Sequence, residues 1–314
     1  MRISPRLAMR ESKSVLIRYG VLVLFSLTVI HAQSIEQLDG MPSGIGARAV
    51  ALGNSYVAET YDAMAMYWNP AAIVFVQRSS LVDNAAMGPS NELFREDFAL
   101  PVRIGNEMAV SVGLQGSYFG QRWSNPSAAF HSLDLAFAGK VSPTVSFGAL
   151  LNTRYSSIYN SSLWTASGTL GAFYFPAPGI SYGLAFKGLG WGTNFALQNS
   201  LPVIEYQKNL PKSLQIGATI KFPSYYENPD ITLSAADEKI LGENLSVYRA
   251  GFEYQATRFL ALRCGIVRYS AATVLSAGFG ITTGRLELDY SYAEDEFLVQ
   301  NHFFSISYLF NPSF

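Results

Sequence analysis

More than two hundred residues of this chain, from about position 78 to the C-terminus, alternate apolar and polar side chains with a period of two, in runs of about ten residues. In Met108–Tyr118 one face reads Met108, Val110, Val112, Leu114, Gly116, Tyr118, and the other Ala109, Ser111, Gly113, Gln115, Ser117. The pattern recurs in Val145/Phe147/Ala149/Leu151 against Ser146/Gly148/Asn152/Arg154. It recurs again in Leu214/Ile216/Ala218/Ile220/Phe222 against Ser213/Gln215/Thr219/Lys221, and in Leu286/Leu288/Tyr290/Tyr292 against Glu287/Asp289/Ser291. A two-residue period is that of a strand with one face buried in an apolar medium. A half-solvated soluble sheet shares this alternation, but strands of soluble sheets usually run about five or six residues. Crossing a bilayer takes about nine to eleven. Half the chain is hydrophobic and 14% of it aromatic, yet no run of 18 apolar residues follows position 32, so spanning helices are excluded. Without them, the viable membrane structure is a closed antiparallel barrel, apolar outside and polar inside.

Fourteen strands are expected, near 78–87, 95–104, 107–119, 128–141, 144–156, 164–175, 179–189, 211–222, 229–236, 246–256, 259–269, 273–282, 285–293 and 300–310. The even number suits a single-chain barrel. Gly105-Asn106, Ser142-Pro143, Pro176–Gly179, Thr257-Arg258 and Thr283-Gly284 read as tight turns. Residues 120–127, 157–163, 190–210, 237–245 and 294–299 read as longer loops. That asymmetry places the tight turns and both chain ends on the periplasmic side. His302, Phe304, Ile306, Tyr308 and Phe310 put an aromatic-rich face on the last strand, as signals for the barrel-assembly machinery do, ahead of Asn311–Phe314.

The N-terminus reads as an export signal. Arg2, Arg6, Arg10, Lys13 and Arg18 precede the apolar stretch Val21–Ile30, and cleavage is expected near Ala32. The domains are therefore expected to be a signal peptide at 1–32, a non-strand segment at 33–76 and an outer-membrane barrel at 77–314. Loss of 1–32 removes five basic residues and one acid, leaving 17 against 22 and a net charge of −5. That balance argues against nucleic acid as a partner, and outer-membrane lipid is expected instead. The single cysteine, Cys264, excludes an intrachain disulfide.

Enzyme chemistry finds little purchase. His131 and His302 are the only histidines beyond the signal, too few for a zinc cluster. Gly179-Ile-Ser-Tyr-Gly183 matches the string of a nucleophile elbow, but a strand pattern follows it where a helix is required. No catalytic residue, metal or cofactor is expected. The charged residues placed inward are Asp134, Lys140, Arg154, Lys187, Lys221, Arg249, Glu253, Arg263, Glu287 and Asp289. Both signs are present, so pairing across the interior is the expected role.

The segment before the strands is small, glycine-rich and nearly uncharged. It reads Gly46-Ala-Arg-Ala-Val-Ala-Leu-Gly-Asn-Ser-Tyr-Val-Ala58, then Asp62-Ala-Met-Ala-Met-Tyr-Trp-Asn-Pro-Ala71. This resembles the N-terminal motif of the PorV/PorQ family, outer-membrane proteins akin to the FadL hydrocarbon transporters. The family pattern is G-A-R-A-x-x-M/L-G-x-A-x-V-A followed by D-A-x-A-x-x-W-N-P-A. Asn54-Ser55 and Met64 stand here in place of smaller residues. Asn209-Leu-Pro-Lys-Ser-Leu-Gln-Ile-Gly217 is similar to the family's L-P-x-S-x-x-x-G before a strand.

The resemblance implies that the N-terminal segment is a hatch in the periplasmic half of the lumen, with Gly46, Arg48, Gly53, Asp62, Trp68, Asn69 and Pro70 as its motif residues. Two functions follow from it. The first is a type IX secretion role, in which the barrel binds secreted cargo proteins or secretion-system components and shuttles cargo. Its contact surface would be the loops 190–210 and 237–245, with Trp191, Phe195, Leu201 and Tyr206 among the exposed candidates. The alternative is a FadL-like channel for uptake of hydrophobic solutes, gated by the hatch.

Overall fold

The computed structural model describes residues 44–76, 80–87, 93–121, 125–158, 161–191, 194–197, 204–207, 212–223, 230–242, 245–270, 272–294 and 301–310. The expected signal peptide lies outside them. Two short helices, α1 (Ala47–Ala51) and α2 (Ala65–Trp68), and a 3-10 helix (Pro70–Phe75) precede the strands. The strands are β1 (Ser80–Met87), β2 (Leu93–Ile104), β3 (Met108–Gln121), β4 (Asn125–Ser142), β5 (Val145–Ile158), β6 (Ser161–Ala177), β7 (Ile180–Trp191) and the short β8 (Asn194–Leu197) and β9 (Ile204–Gln207). They continue with β10 (Lys212–Phe222), β11 (Ile231–Leu241), β12 (Leu245–Thr257), β13 (Leu260–Arg268), β14 (Thr273–Thr283), β15 (Leu286–Glu294) and β16 (His302–Leu309).

Fourteen of these strands form one closed antiparallel barrel, in which β1 pairs with β16 and β7 with β10. Closure leaves no sheet edge, so the wall satisfies its backbone donors and acceptors without water. The remaining two, β8 and β9, make a separate hairpin between β7 and β10.

The two faces divide as their sequence parity requires. Leu114, Phe137, Phe147, Leu151, Ile216, Leu288 and Ile306 point outward and are exposed, while Ser111, Ser146, Gln215, Glu287 and Ser305 on the alternate positions are buried. An exterior of this kind is unstable in water and suited to hydrocarbon. Tyr174 and Tyr182, at the tight-turn ends of β6 and β7, stack at 6.1 Å on that outer face.

Three expected loops are instead mostly strand. β3 runs to Gln121 and β4 starts at Asn125; β5 and β6 approach to Ile158 and Ser161. β11 and β12 carry the ladder through 237–245 to Leu241 and Leu245, and within 190–210 the chain forms the end of β7 and the β8–β9 hairpin. The reason is physical. Beyond the apolar band the outward positions become small, polar or charged, as at Ser157, Ser162, Asp237 and Lys239, and the alternation fades, but the backbone groups still gain by pairing. The expected loop 294–299 falls largely outside the described residues.

The compact interior belongs to the segment 44–76. It lies against the inner wall at eight glycines on eight strands: Gly113, Gly148, Gly171, Gly183, Gly217, Gly251, Gly265 and Gly278. A Cβ at any of them would meet a hatch atom within 3.0 Å. Six of the eight are directly opposed across neighbouring strands, as Gly148–Gly171, Gly183–Gly217 and Gly251–Gly265. The wall is thus thinned in register where the insert touches it. Among the described residues, α1, α2 and the 3-10 helix are almost wholly buried.

The division of faces yields a test. Leu133, outward in the middle of β4, should lose about 2–4 kcal/mol of urea-unfolding stability in lipid vesicles on Leu133→Arg. A cost near zero would show that this face does not meet hydrocarbon.

Candidate functional site: the luminal hatch and its ionic anchor

Local chemistry sets the path of the hatch. Gly46 precedes α1 with φ +88, and Gly53 ends its turn at φ +60. Gly53 has no alternative: a side chain there would strike the backbone of Ala250 and Ile266 in the wall. Asp62 accepts a hydrogen bond from the Met64 backbone N–H at 3.0 Å and so starts the turn that becomes α2. Asn69 is extended, with φ −153 and ψ 104, and Pro70 opens the 3-10 helix. Its side chain accepts from the Ala71 N–H and donates to the carbonyls of Val57 and Ala172. Asn69 therefore holds two hatch segments to each other and both to β6. Trp68 packs against Tyr56 and donates its indole N–H to the Ile45 carbonyl at 3.1 Å.

The hatch is bonded to the wall on many sides. The Ala47 N–H donates to Ser305 Oγ at 2.9 Å, and Tyr67 Oη donates to the Phe98 carbonyl at 2.9 Å. Ser146 Oγ donates to the Ala71 carbonyl and Ser181 Oγ to that of Ala58, each at 2.7 Å. Ser55 and Ser234 share a bond of 2.5 Å. The serine of Gly179–Gly183 is thus an anchor within β7, not the apex of a strand–turn–helix elbow.

At the centre lies an ion chain. The Arg48 guanidinium, 2% exposed, donates through Nε and Nη2 to both Glu253 oxygens, at 2.9 and 2.7 Å, and pairs with Glu59 at 3.3 Å. Glu59 also pairs with Lys221 on β10, and Glu253 with Arg263 on β13. Arg263 continues to Asp289 and, at 3.7 Å, to Glu287 on β15. Glu287 accepts in turn from the hatch hydroxyl of Tyr61, whose ring lies 3.4 Å from the Arg48 guanidinium carbon. The chain thus runs from Lys221 on the wall through the hatch to Glu253 and returns to the hatch at Tyr61, drawing on four wall strands.

Burial and fields act on Asp62 here: desolvation pushes its carboxyl up to about 6, with Arg48 opposing and Asp289 adding to the rise. For Arg48, burial alone would weaken the charged form, but Glu253, Tyr56 and Glu59 outweigh it and hold the guanidinium firmly protonated.

All seven motif residues are brought together in the hatch. Of the inward charges, Lys221, Glu253, Arg263, Glu287 and Asp289 join the ion chain, and the Lys140 ammonium lies over the ring of Phe75. Asp134 accepts from Asn152 and Ser132, and Arg249 pairs with Glu238. The candidate surface residues are not gathered in this way. Trp191 ends β7 opposite Ala166, Phe195 and Tyr206 oppose each other in the β8–β9 hairpin, and Leu201 lies outside the described residues. Glu59, Tyr61 and the wall glycines were missed by sequence reasoning. An acid in an apolar segment, and glycines recurring on the inward parity of eight strands, were the available signals.

No protein-family model and no curated protein matches the chain. Solved structures do match in fold. The CymD monoaromatic hydrocarbon channel aligns with a TM-score of 0.65 at 16% identity, over 85% of this chain and 97% of that one. The Ralstonia pickettii toluene transporter TbuX aligns at 0.61 and 14% identity, over 85% and 99%. A Pseudomonas aeruginosa FadL homologue aligns at 0.55 and 12% identity, over 84% and 98%. What the chain shares with these structures is the fold, a closed antiparallel β-barrel.

Two measurements probe the anchor. Arg48→Met leaves buried carboxylates short of a partner, a change that costs about 3–5 kcal/mol in comparable buried pairs. Amide protection of residues 44–76 should fall by that amount while the barrel strands keep theirs; unchanged hatch protection would show that Arg48 does not hold it. The second concerns pH. The docked hatch binds the Asp62 proton more tightly than the exposed side chain does, with its ordinary value of 3.8. Docking is therefore favoured below that value and loses this contribution as pH rises towards about 6. Asp62→Asn should remove that part of the pH dependence of normalised protection factors, and an unaltered profile would assign it to other groups.

Proposed function

We propose that this protein is an outer-membrane channel for hydrophobic solutes whose N-terminal segment is a gate in the lumen. One observation carries the reading: a closed barrel with an apolar exterior contains a hatch anchored to its wall by hydrogen bonds and ion pairs, all of which are reversible. The fold shared with hydrocarbon channels supports the same assignment, as do the basic, then apolar, residues 1–32, which suit export. On this reading the tight turns lie in the periplasm, the barrel-assembly machinery inserts the chain, lipid surrounds it, and it acts without catalysis or cofactor.

The cargo-shuttle role suggested by the PorV/PorQ resemblance draws on the N-terminal motif and on the sequence Asn209–Gly217. One of its two expected contact loops, 237–245, is largely strand, and no observation favours that role over the channel.

The test is to pin the gate. In a Cys264→Ser background, Ser55→Cys on the hatch and Ser234→Cys on the wall place thiols where the two hydroxyls now meet. Vesicles bearing the unpinned protein should admit toluene faster than protein-free vesicles. Oxidation of the cysteine pair should suppress that entry and reductant should restore it. Equal entry with and without protein, or entry indifferent to oxidation, would sink the proposal.

A further inference from the structure

On the outer face of β16, β1 and β2 the apolar band is interrupted. Asp83 and Glu96 are exposed, while Val82, Asn84, Arg95 and Asp97 on either side of them are buried inside the barrel, so both acids point outward. Asp83 shares its register row with Ile306 and Phe98, and through Phe98 with Leu114 and Leu133, outward apolar residues of the middle of the wall. Neither acid forms an ion pair among the described residues. Nearby, His302 on β16 and Tyr290 on β15 take the outward parity beside the buried Phe303 and Ser291, with Tyr290 Oη and His302 Nδ1 2.9 Å apart. A charged group facing hydrocarbon is costly, and ionisable side chains in membrane spans stand where they meet a partner. Acyl chains offer none.

Register and tilt point to the occupant. A row of paired residues leads from Met108, at the tight-turn end of β3, to Arg268, at the far end of β13, so rows climb away from the tight turns in strand order. Glu96 shares a row with Ala85, Phe304 and Tyr290. His302 lies two residues above that row on β16, and Asp83 two residues below it on β1. Across two strands about 4.8 Å apart and tilted about 40°, a row climbs about 6 Å, and two residues along a strand cover about 5 Å of height. The offsets therefore nearly cancel. His302 stands level with Glu96, and Tyr290 stands level with Asp83 one tier lower. Both pairs straddle the same vertical line, which crosses β1 beside Ala85 and β16 beside Phe304.

We infer that this face, with its two carboxylates, imidazole and phenol, is the interface of a two-fold dimer of the chain within the membrane. A two-fold axis along that line exchanges left and right at constant height. Glu96 of one copy then meets His302 of the other, and Asp83 of one meets Tyr290 of the other, each twice. The protons balance. An imidazolium at His302 donates from Nδ1 to its own Tyr290 and from Nε2 to the other copy's Glu96, while Tyr290 donates to the other copy's Asp83. Ala85, next to the axis, is small enough to let two convex walls approach. The inference concerns the outer wall and is independent of what passes through the lumen.

Single cysteines in the full-length Cys264→Ser protein, in lipid vesicles, locate the interface. Ala85→Cys should give a covalent dimer with a short bis-maleimide, and Ala235→Cys, exposed on β11 across the ring, should not. Resonance energy transfer between labelled copies measures the association. Glu96→His and His302→Glu should each weaken it at least about tenfold, the worth of one charge-assisted hydrogen bond, and the two together should restore it. Heat-modifiable gel migration reports whether each variant is folded. Equal cross-linking at both cysteines, an affinity indifferent to Glu96→His, or a folded double variant as weak as the single ones overturns the inference. No transfer at any protein-to-lipid ratio overturns it as well, in favour of a different, cation-bearing chain on this face.

Discussion

The bidentate pair between Arg48 and Glu253 is the contact on which the inside of this molecule depends. A guanidinium carried on a five-residue helix could not be taken out of water by itself, since the desolvation cost exceeds anything so short an element gains by packing. It is tolerable because the wall supplies Glu253, the hatch supplies Glu59, and each carboxylate meets a second cation, Arg263 or Lys221. The rest of the hatch is arranged around that requirement. The glycines of the wall let its backbone approach closely enough for the serines to reach it, and the turn at Gly53 brings the chain back for Glu59 and Tyr61 to close the circuit.

A barrel in lipid inverts the usual division of labour. Its apolar residues face outward and contribute to insertion in a membrane, so they do not form a core. The interior must be filled by something else, and here the filling is an insert of alanine, glycine and a few aromatics that packs with the wall in small clusters, Met64 and Met66 with Val82 and Leu150, and Tyr56 and Trp68 with Phe173. Hydrogen bonds and ion pairs hold the insert to the wall, with apolar packing confined to patches. Such contacts are directional and strong when dry, and they weaken when water enters. That is the behaviour required of a plug that is firm in one state and movable in another.

Much of this was legible beforehand. The parity of Met108–Tyr118 or Leu286–Tyr292 states which side chains face outward, because a strand has only two faces. Closure and strand number follow from the same alternation. The strand ends were not legible: around 157–163 and 237–245 the alternation fades once the chain leaves the apolar band, while hydrogen bonding continues. The pairing of inward charges was expected in kind but not in partner. Arg263 meets Glu253 on the neighbouring strand and reaches Asp289 across β14, over Gly280, and Arg48 meets Glu253 across 205 residues of chain.

By itself, then, the sequence determined a closed barrel with an apolar exterior and a small-residue insert ahead of it, since two-residue periodicity and the absence of spanning helices admit little else. Only the tertiary structure decided what the insert touches. Which glycine lies beneath which hatch carbonyl, which serine reaches it, and which carboxylate meets which cation all depend on register around a closed ring. Register couples every strand to every other, and no local stretch of sequence contains it.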